Sequence, residues 1–506
     1  MKKNFQMIHE ERRRTLGTLL LLLPCLVFIL AVRPSVASGQ EFLPGAAGAG
    51  DPYFPLDGNG GYDVRSYGLE VKYDPATDLL EGRAKIRART TQNLSTFNLD
   101  LVGLTVHSVT VNGLPASFSR DGGEFTITPA VGLRQGRAFT VLIDYSGVPV
   151  SLEGAGFIHT DDGALVAGEP HVAASWFPVN DHPSDKASYT FEITVPEGLT
   201  AVANGILERQ RTVDGWTTWT WKQREPMASY LATATIGAFD LRAYRVENVR
   251  FWDAVDPDLA APYGAHIDAL FSLQPEIIEF FEDLLSKYPF RAGGGIVDDY
   301  VGLGFALENQ SRPIYAVEWF SQYPQDAEGT FAHEIAHQWF GDSLSIARWK
   351  DIWLNEGFAT YAQWLWDEAK HGVPVQENFD YYYFGYPANN PFWQVIIGDP
   401  GVDHLFDYPV YDRGAMTLHQ LRLAVGDPTF FAILKRWTQE RKGDNVTIEE
   451  FIAFAEKMSG ADLDDLFQTW LFTPGRPALP APLAAARTSG SEGASALPLR
   501  PQGLRR

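Results

Sequence analysis

From Asp51 to about Arg242 the hydrophobic positions recur mostly at every second residue. In "YGLEVKY" the apolar face is Tyr67, Leu69, Val71 and Tyr73, and in "RAKIRAR" Ala84, Ile86 and Ala88 alternate with basic residues. Such alternation belongs to half-buried strands. It continues through "EFTITP", "FTVLIDY", "YTFEITVP", "LTAVANGIL" and "GWTTWTWKQ", with turn signals at Asn112-Gly113, Asn204-Gly205 and Asp214-Gly215. The tryptophans of "GWTTWTW" are expected on one face of a sheet. From about Ala261 the period becomes helical, starting with "IDALFSLQPEIIEFFEDLLSKY", where Pro275 is expected to open a second helix or kink the first. Further helices are predicted from Ala327 to Phe340, Glu356 to Lys370, Tyr411 to Val425, Thr429 to Glu440 and Asp462 to Leu471. Thr447 and Glu450 form a capping box ahead of one more.

These patterns predict an N-terminal β saddle or sandwich, residues 51–245, followed by a mainly helical domain, residues 246–477. Residues 478–506 are rich in Pro, Ala, Ser and Gly and read as a disordered tail. At the other end, "MKKNFQMIHEERRR" is basic and is followed by an uncharged apolar run of 18 residues, Thr15 to Val32, and then by small residues. Residues 1–38 therefore read as a signal peptide, with an uncleaved signal anchor as the alternative. The expected location is secreted or extracytoplasmic, tethered to a membrane only if that segment is retained.

Charge and cysteine content narrow the chemistry. A net charge of -22 and a pI of 4.9 speak against nucleic acid as a partner, because phosphate binding needs basic patches. The single cysteine, Cys25, falls in the apolar N-terminal run. A metal site in the remainder must use nitrogen and oxygen ligands. One stretch has that character. In "FAHEIAHQWF" His333 and His337 stand four apart, on one face of the predicted helix, with Glu334 beside the first. Glu356 follows 19 residues after His337, at the start of the next predicted helix. A helix, a loop and an antiparallel helix return that carboxylate to the two imidazoles. His333, His337 and Glu356 then supply three ligands to one zinc ion and leave a fourth position open. His159, His171, His182 and His404 lack ligand spacing and are expected at the surface or the core edge.

"HEIAHQWFGD" followed by "NEGFA" resembles the signature of the gluzincin aminopeptidases, the group containing aminopeptidase N and leukotriene hydrolase. The resemblance extends to "WFPVNDHPSDKASYTFEITVP" and "LFQTWLFTPGRPALP". It implies that the helical domain is thermolysin-like, that Glu334 is the general base acting on water, and that the substrates are peptides with a free N-terminus. It also implies a tyrosine that donates to the developing oxyanion, for which "YPVYDRGAM" offers Tyr411, with Tyr408 as second choice. The family's "Gly-Ala-Met-Glu-Asn" strand is matched by "GLGFALENQSRP", making Glu308 the anchor for the substrate ammonium, with Phe305 where the pattern has glycine. Glu169 in "AGEPHVAASWFP" is the candidate second anchor. Large members of the family carry a helical C-terminal domain over the site, and the short tail after Pro477 leads to the expectation of a more open cleft. The alternatives are a zinc hydrolase of another small substrate and a catalytically inactive peptidase-like binding protein.

Overall fold

The long alternating runs pair into an eight-stranded sheet, in the order Ile206–Val213, Trp216–Met227, Ala187–Pro196, Tyr62–Asp74, Leu79–Thr90, Ala138–Gly147, Thr105–Val111 and Leu114–Pro115. The computed structural model describes residues 41–152 and 154–479. The expected signal segment lies outside the described residues, as does the expected tail from residue 480 onward. In Tyr62–Asp74 a bulge between Val64 and Ser66 changes the phase of the alternation. Tyr62 and Val64 face the core before it, and Tyr67, Leu69, Val71 and Tyr73 after it. Asp214 and Gly215, both at positive φ, close the hairpin between the first two strands of the sheet. Asn204-Gly205 makes a different turn. Thr200–Ala203 pairs with Ala234–Gly237 in a second sheet, so the chain changes sheets at this dipeptide. A Cβ on Gly205 would lie 2.2 Å from the Lys222 carbonyl oxygen, so only glycine fits. Trp219 and Trp221 share the buried face, whereas Trp216 is an odd number of residues away and faces outward, with the Lys72 ammonium 4.2 Å over its ring.

A third sheet, in the order Asp240–Val246, Val249–Val255, Ala292–Val297, Ile314–Tyr315 and Ala306–Leu307, leads into the helical part and ends on the short edge strand Ala306–Leu307. The described helices are α1 (Ala260–Leu284), α2 (Glu318–Ser321), α3 (Ala327–His337), α4 (Trp353–His371), α5 (Val375–Gly385), α6 (Tyr408–Val425), α7 (Asp427–Glu440), α8 (Ile448–Ser459) and α9 (Asp464–Leu471). Pro275 neither ends α1 nor opens a second helix. Ile267, Leu270 and Phe271 before it and Ile277, Ile278 and Phe281 after it are all buried, and that packing offsets the lost hydrogen bond. The Thr447–Glu450 capping box is formed at the start of α8. A β-rich part thus precedes a helical part, and one continuous hydrophobic core runs through both.

Two glycines fix the closest helix pair. Gly357 in α4 and Gly414 in α6 meet backbone to backbone, and a Cβ on Gly414 would lie 2.8 Å from the Gly357 Cα. This contact relates the start of α4, with Glu356, to the start of α6, with Tyr411. Beside it the Arg413 guanidinium is fully buried and donates to the carbonyls of Trp470 (2.8 Å), Trp393 (3.2 Å), Val395 (3.1 Å), Thr469 (3.2 Å) and Thr473 (2.6 Å). Gly414→Ala is expected to cost about 1–3 kcal/mol through overpacking. Thermal unfolding and activity assays would show both a lower Tm and a lower kcat, because α6 cannot stay in contact with α4.

Candidate metal centre and active site

α3 and α4 bring His333, His337 and Glu356 together in the core. His337 and Glu356 are fully buried and His333 is 8% exposed. The two imidazole Nε2 atoms lie 3.0 Å apart, and Glu356 Oε2 lies 3.3 Å from each. Ligands about 2.05 Å from a tetrahedral zinc are separated by roughly 3.3 Å. The three atoms therefore form one face of a zinc coordination tetrahedron, and the residues fit the ion. His337 Nδ1–H donates to the Phe340 carbonyl at 2.9 Å, which turns the Nε2 lone pair toward the shared point. That bond belongs to the turn that ends α3 at His337, where sequence periodicity had carried the helix on to Phe340.

More carboxylates surround this triad. Glu308 and Glu334 present oxygens within 4.8 Å of each other and of a His337 nitrogen, and Glu169, Glu308 and Glu356 form a second such group. Burial pushes the Glu334 carboxyl well above the ordinary range, with His337 opposing and Glu308 and Glu356 reinforcing the rise. Burial also acts to raise Glu356, but the two histidines outweigh it and hold that carboxyl at about 2. His337 is held well above the usual imidazole range: burial disfavours its charge, and Glu308 and Glu356 more than compensate. The cluster calls for positive charge, and a divalent cation among the three ligands supplies it.

Tyr411 stacks on His333, with ring centroids 6.0 Å apart and planes inclined by 24°. Burial, then the negative charges of Glu356, Glu308 and Glu334, keep its hydroxyl protonated and able to donate. Tyr408 is 39% exposed, at the opening of a cavity of about 180 Å³. His333, Glu334 and Tyr411 open onto this cavity, and Phe305, Trp319 and Phe406 are among its walls. Glu308 and Glu169 are not among those walls, although Glu308 groups with the cavity-lining Glu334.

Several supporting residues carry no sequence signal of their own. Tyr230 donates its hydroxyl to Glu308 Oε1 at 3.2 Å. Gln338, next to His337, donates to the Glu308 carbonyl at 3.1 Å and accepts from the Ser311 amide at 2.7 Å, tying the Glu308 loop to the histidine helix. Arg312 is buried between Trp221 and Trp252 and donates to the Trp252 (2.7 Å), Gly205 (2.9 Å) and Gly293 carbonyls. Lys186 reaches from the large sheet to the carbonyls of Asp342 and Ser343, at 2.9 and 2.8 Å, and burial brings its ammonium down to about 8. Of the remaining histidines, His159 and His404 are exposed, His171 pairs with Asp57, and His182 is buried against Asp51.

Comparison with known proteins gives two family matches. The Peptidase M1 N-terminal domain model matches residues 63–231, and the Peptidase family M1 domain model matches residues 276–470. Bovine (Bos taurus) glutamyl aminopeptidase is 27% identical over 338 residues, covering 62% of this chain and 34% of the relative. Aminopeptidase N of Streptomyces lividans is 26% identical over 406 residues, covering 74% and 46%. The chain thus spans between a third and about half of these relatives' length. Among solved structures, the M1 zinc metallopeptidase from Deinococcus radiodurans is similar with a TM-score of 0.75 at 28% identity, covering 86% of this chain and 99% of that one. A mutant of a two-domain M1 zinc metallopeptidase bound to L-arginine gives 0.76 at 27%, covering 86% and 100%.

Glu356→Gln keeps the shape of the third ligand and removes its charge. Loss of outer partners alone lowers zinc affinity by about 10–100-fold. Elemental analysis after dialysis against a weak chelator is expected to show stoichiometric zinc in the parent protein and a loss beyond that range in the variant.

Proposed function

This chain belongs to peptidase family M1, and from that premise we propose that it is a zinc-dependent aminopeptidase that removes N-terminal residues from peptides. The observation that carries the reading is the pair Glu169 and Glu308, whose carboxylates converge beside Glu356 of the metal triad. Two carboxylates there suit an ammonium group and, by charge, block the neutral amide of an upstream peptide chain. Binding the ammonium sets the first peptide bond over the triad, which converts much of the encounter entropy into orientation. The same block disfavours cleavage inside a chain.

Zinc, when bound by His333, His337 and Glu356, supplies Lewis acidity and makes water a competent nucleophile near neutral pH. Glu334 takes the proton from the attacking water and passes it to the departing amine. The Tyr411 hydroxyl donates to the oxygen that becomes negative. The strand Ala306–Leu307 ends its sheet, and an extended substrate can lie along that edge. The cavity that His333, Glu334 and Tyr411 share with Phe305, Trp319 and Phe406 favours a large apolar or aromatic substrate side chain. Phe305, which stands where the family pattern has glycine, is one of the rings that narrow this cavity. The basic and apolar N-terminal segment supports action outside the cytoplasm.

Aminoacyl arylamides and their N-acetylated counterparts, assayed side by side, test this reading. Cleavage is expected for the free-amine series only. Glu334→Ala is expected to lower kcat by about 10²–10⁴-fold with zinc retained. Equal cleavage of the acetylated series would remove the anchoring role of Glu169 and Glu308.

A further inference from the structure

The segment Asp51–Asp57, "DPYFPLD", precedes both stretches that match the family. It forms neither helix nor strand, yet Asp51 is 4% exposed. Asp51 Oδ2 accepts from the Trp349 amide at 2.8 Å and lies 3.2 Å from His182 Nε2. The Trp349 ring meets Tyr230 edge-on at 5.6 Å, and Tyr230 donates to Glu308. Phe54 sits edge-on to both Trp349, at 6.4 Å, and His171, at 4.9 Å. Asp57 Oδ2 lies 2.8 Å from His171 Nδ1, and His171 is two residues from Glu169. The Tyr53 hydroxyl donates to Asp399 and accepts from the Gly401 amide at 2.7 Å, in the loop that leads to α6.

A segment that only covered apolar rings would need no such polar contacts. Here two aspartates within seven residues grip the support of one anchor each, and Phe54 wedges between the two supports. We propose that Asp51–Asp57 is a positioning strap for amine recognition: Asp57 and Phe54 fix the turn that carries Glu169, and Asp51 fixes Trp349 and through it Tyr230 and Glu308. The proposal rests on the reading of Glu169 and Glu308 as the ammonium anchors. None of the strap residues touches the triad. Their effect is on substrate binding, because a salt-bridged ammonium tolerates little displacement of its carboxylates.

The test compares Asp57→Asn, Phe54→Leu and Asp57→Glu with the parent full-length protein. The substrates are an alanyl arylamide and the matching propionyl arylamide, which lacks only the amine. For Asp57→Asn and Phe54→Leu, KM for the alanyl substrate is expected to rise roughly fivefold to tenfold with kcat within about twofold, as loss of binding without loss of chemistry requires. The preference for the alanyl over the propionyl substrate, as a ratio of kcat/KM, falls by the same factor, with zinc content unchanged, and Asp57→Glu recovers part of it. Parent-like KM and preference in both variants would overturn the strap, and so would equal losses on the two substrates. If Asp57→Asn fails to fold, Phe54→Leu alone decides by the same criteria. A parent protein that does not prefer the alanyl substrate would overturn the anchor reading itself, and the strap with it.

Discussion

The site depends on one electrostatic constraint: three buried glutamates and two buried histidines, with the half-buried Glu169 beside them, are gathered around one point. Two ionised carboxylates with oxygens within 4.8 Å of each other repel by roughly 3 kcal/mol or more even at an effective dielectric of 20. Glu308, Glu334 and Glu356 cannot all be ionised there on hydrogen bonds alone. Protonation is one escape, and the rise of Glu334 shows the pressure toward it. A divalent cation is the other, and the spacing of the two Nε2 atoms and Glu356 Oε2 suits a tetrahedral ion. The histidines already hold Glu356 ionised, and a metal among the three ligands favours the ionised form of Glu334 beside it as well, which couples the fold to the chemistry.

Holding such a cluster takes rigidity from every side. The Gly357–Gly414 contact leaves no slack between the helix with Glu356 and the helix with Tyr411. Gln338 locks the Glu308 loop to the histidine helix. Arg312 and Arg413 each gather carbonyls from separate segments into one donor group, a task for which a flat five-donor head suits better than lysine. The β-rich part belongs to the site as much as the helices do: Glu169, Tyr230 and Lys186 all come from it.

What could be read from the sequence was the local chemistry. The i, i+4 histidine pair on a periodic run marks a helix face, and the alternation of Tyr67 to Tyr73 marks a strand. The β-rich then helical order followed from those two periods. Residues whose role arises from distant contacts were not legible. Tyr230 is one of twenty tyrosines until folding sets it against Glu308, and Asp51 is an ordinary loop aspartate until it meets Trp349. α5 was missed because "VQENFDYYYFG" has no clear period and draws its stability from ring stacking, such as Phe379 on Tyr383 and Trp364 on Tyr382. Pro275 misled because local propensity was overruled by the buried faces of α1 on either side.

The most direct measurement is thermal unfolding of the purified protein before and after removal of its metal, and again after one equivalent of zinc is returned. A cation that balances the buried carboxylates adds its binding free energy to the folded state. The account predicts a marked fall in Tm on stripping, a loss of hydrolysis in parallel, and recovery of both with the single equivalent. A metal-free protein that unfolds at the same temperature as the zinc form would contradict it.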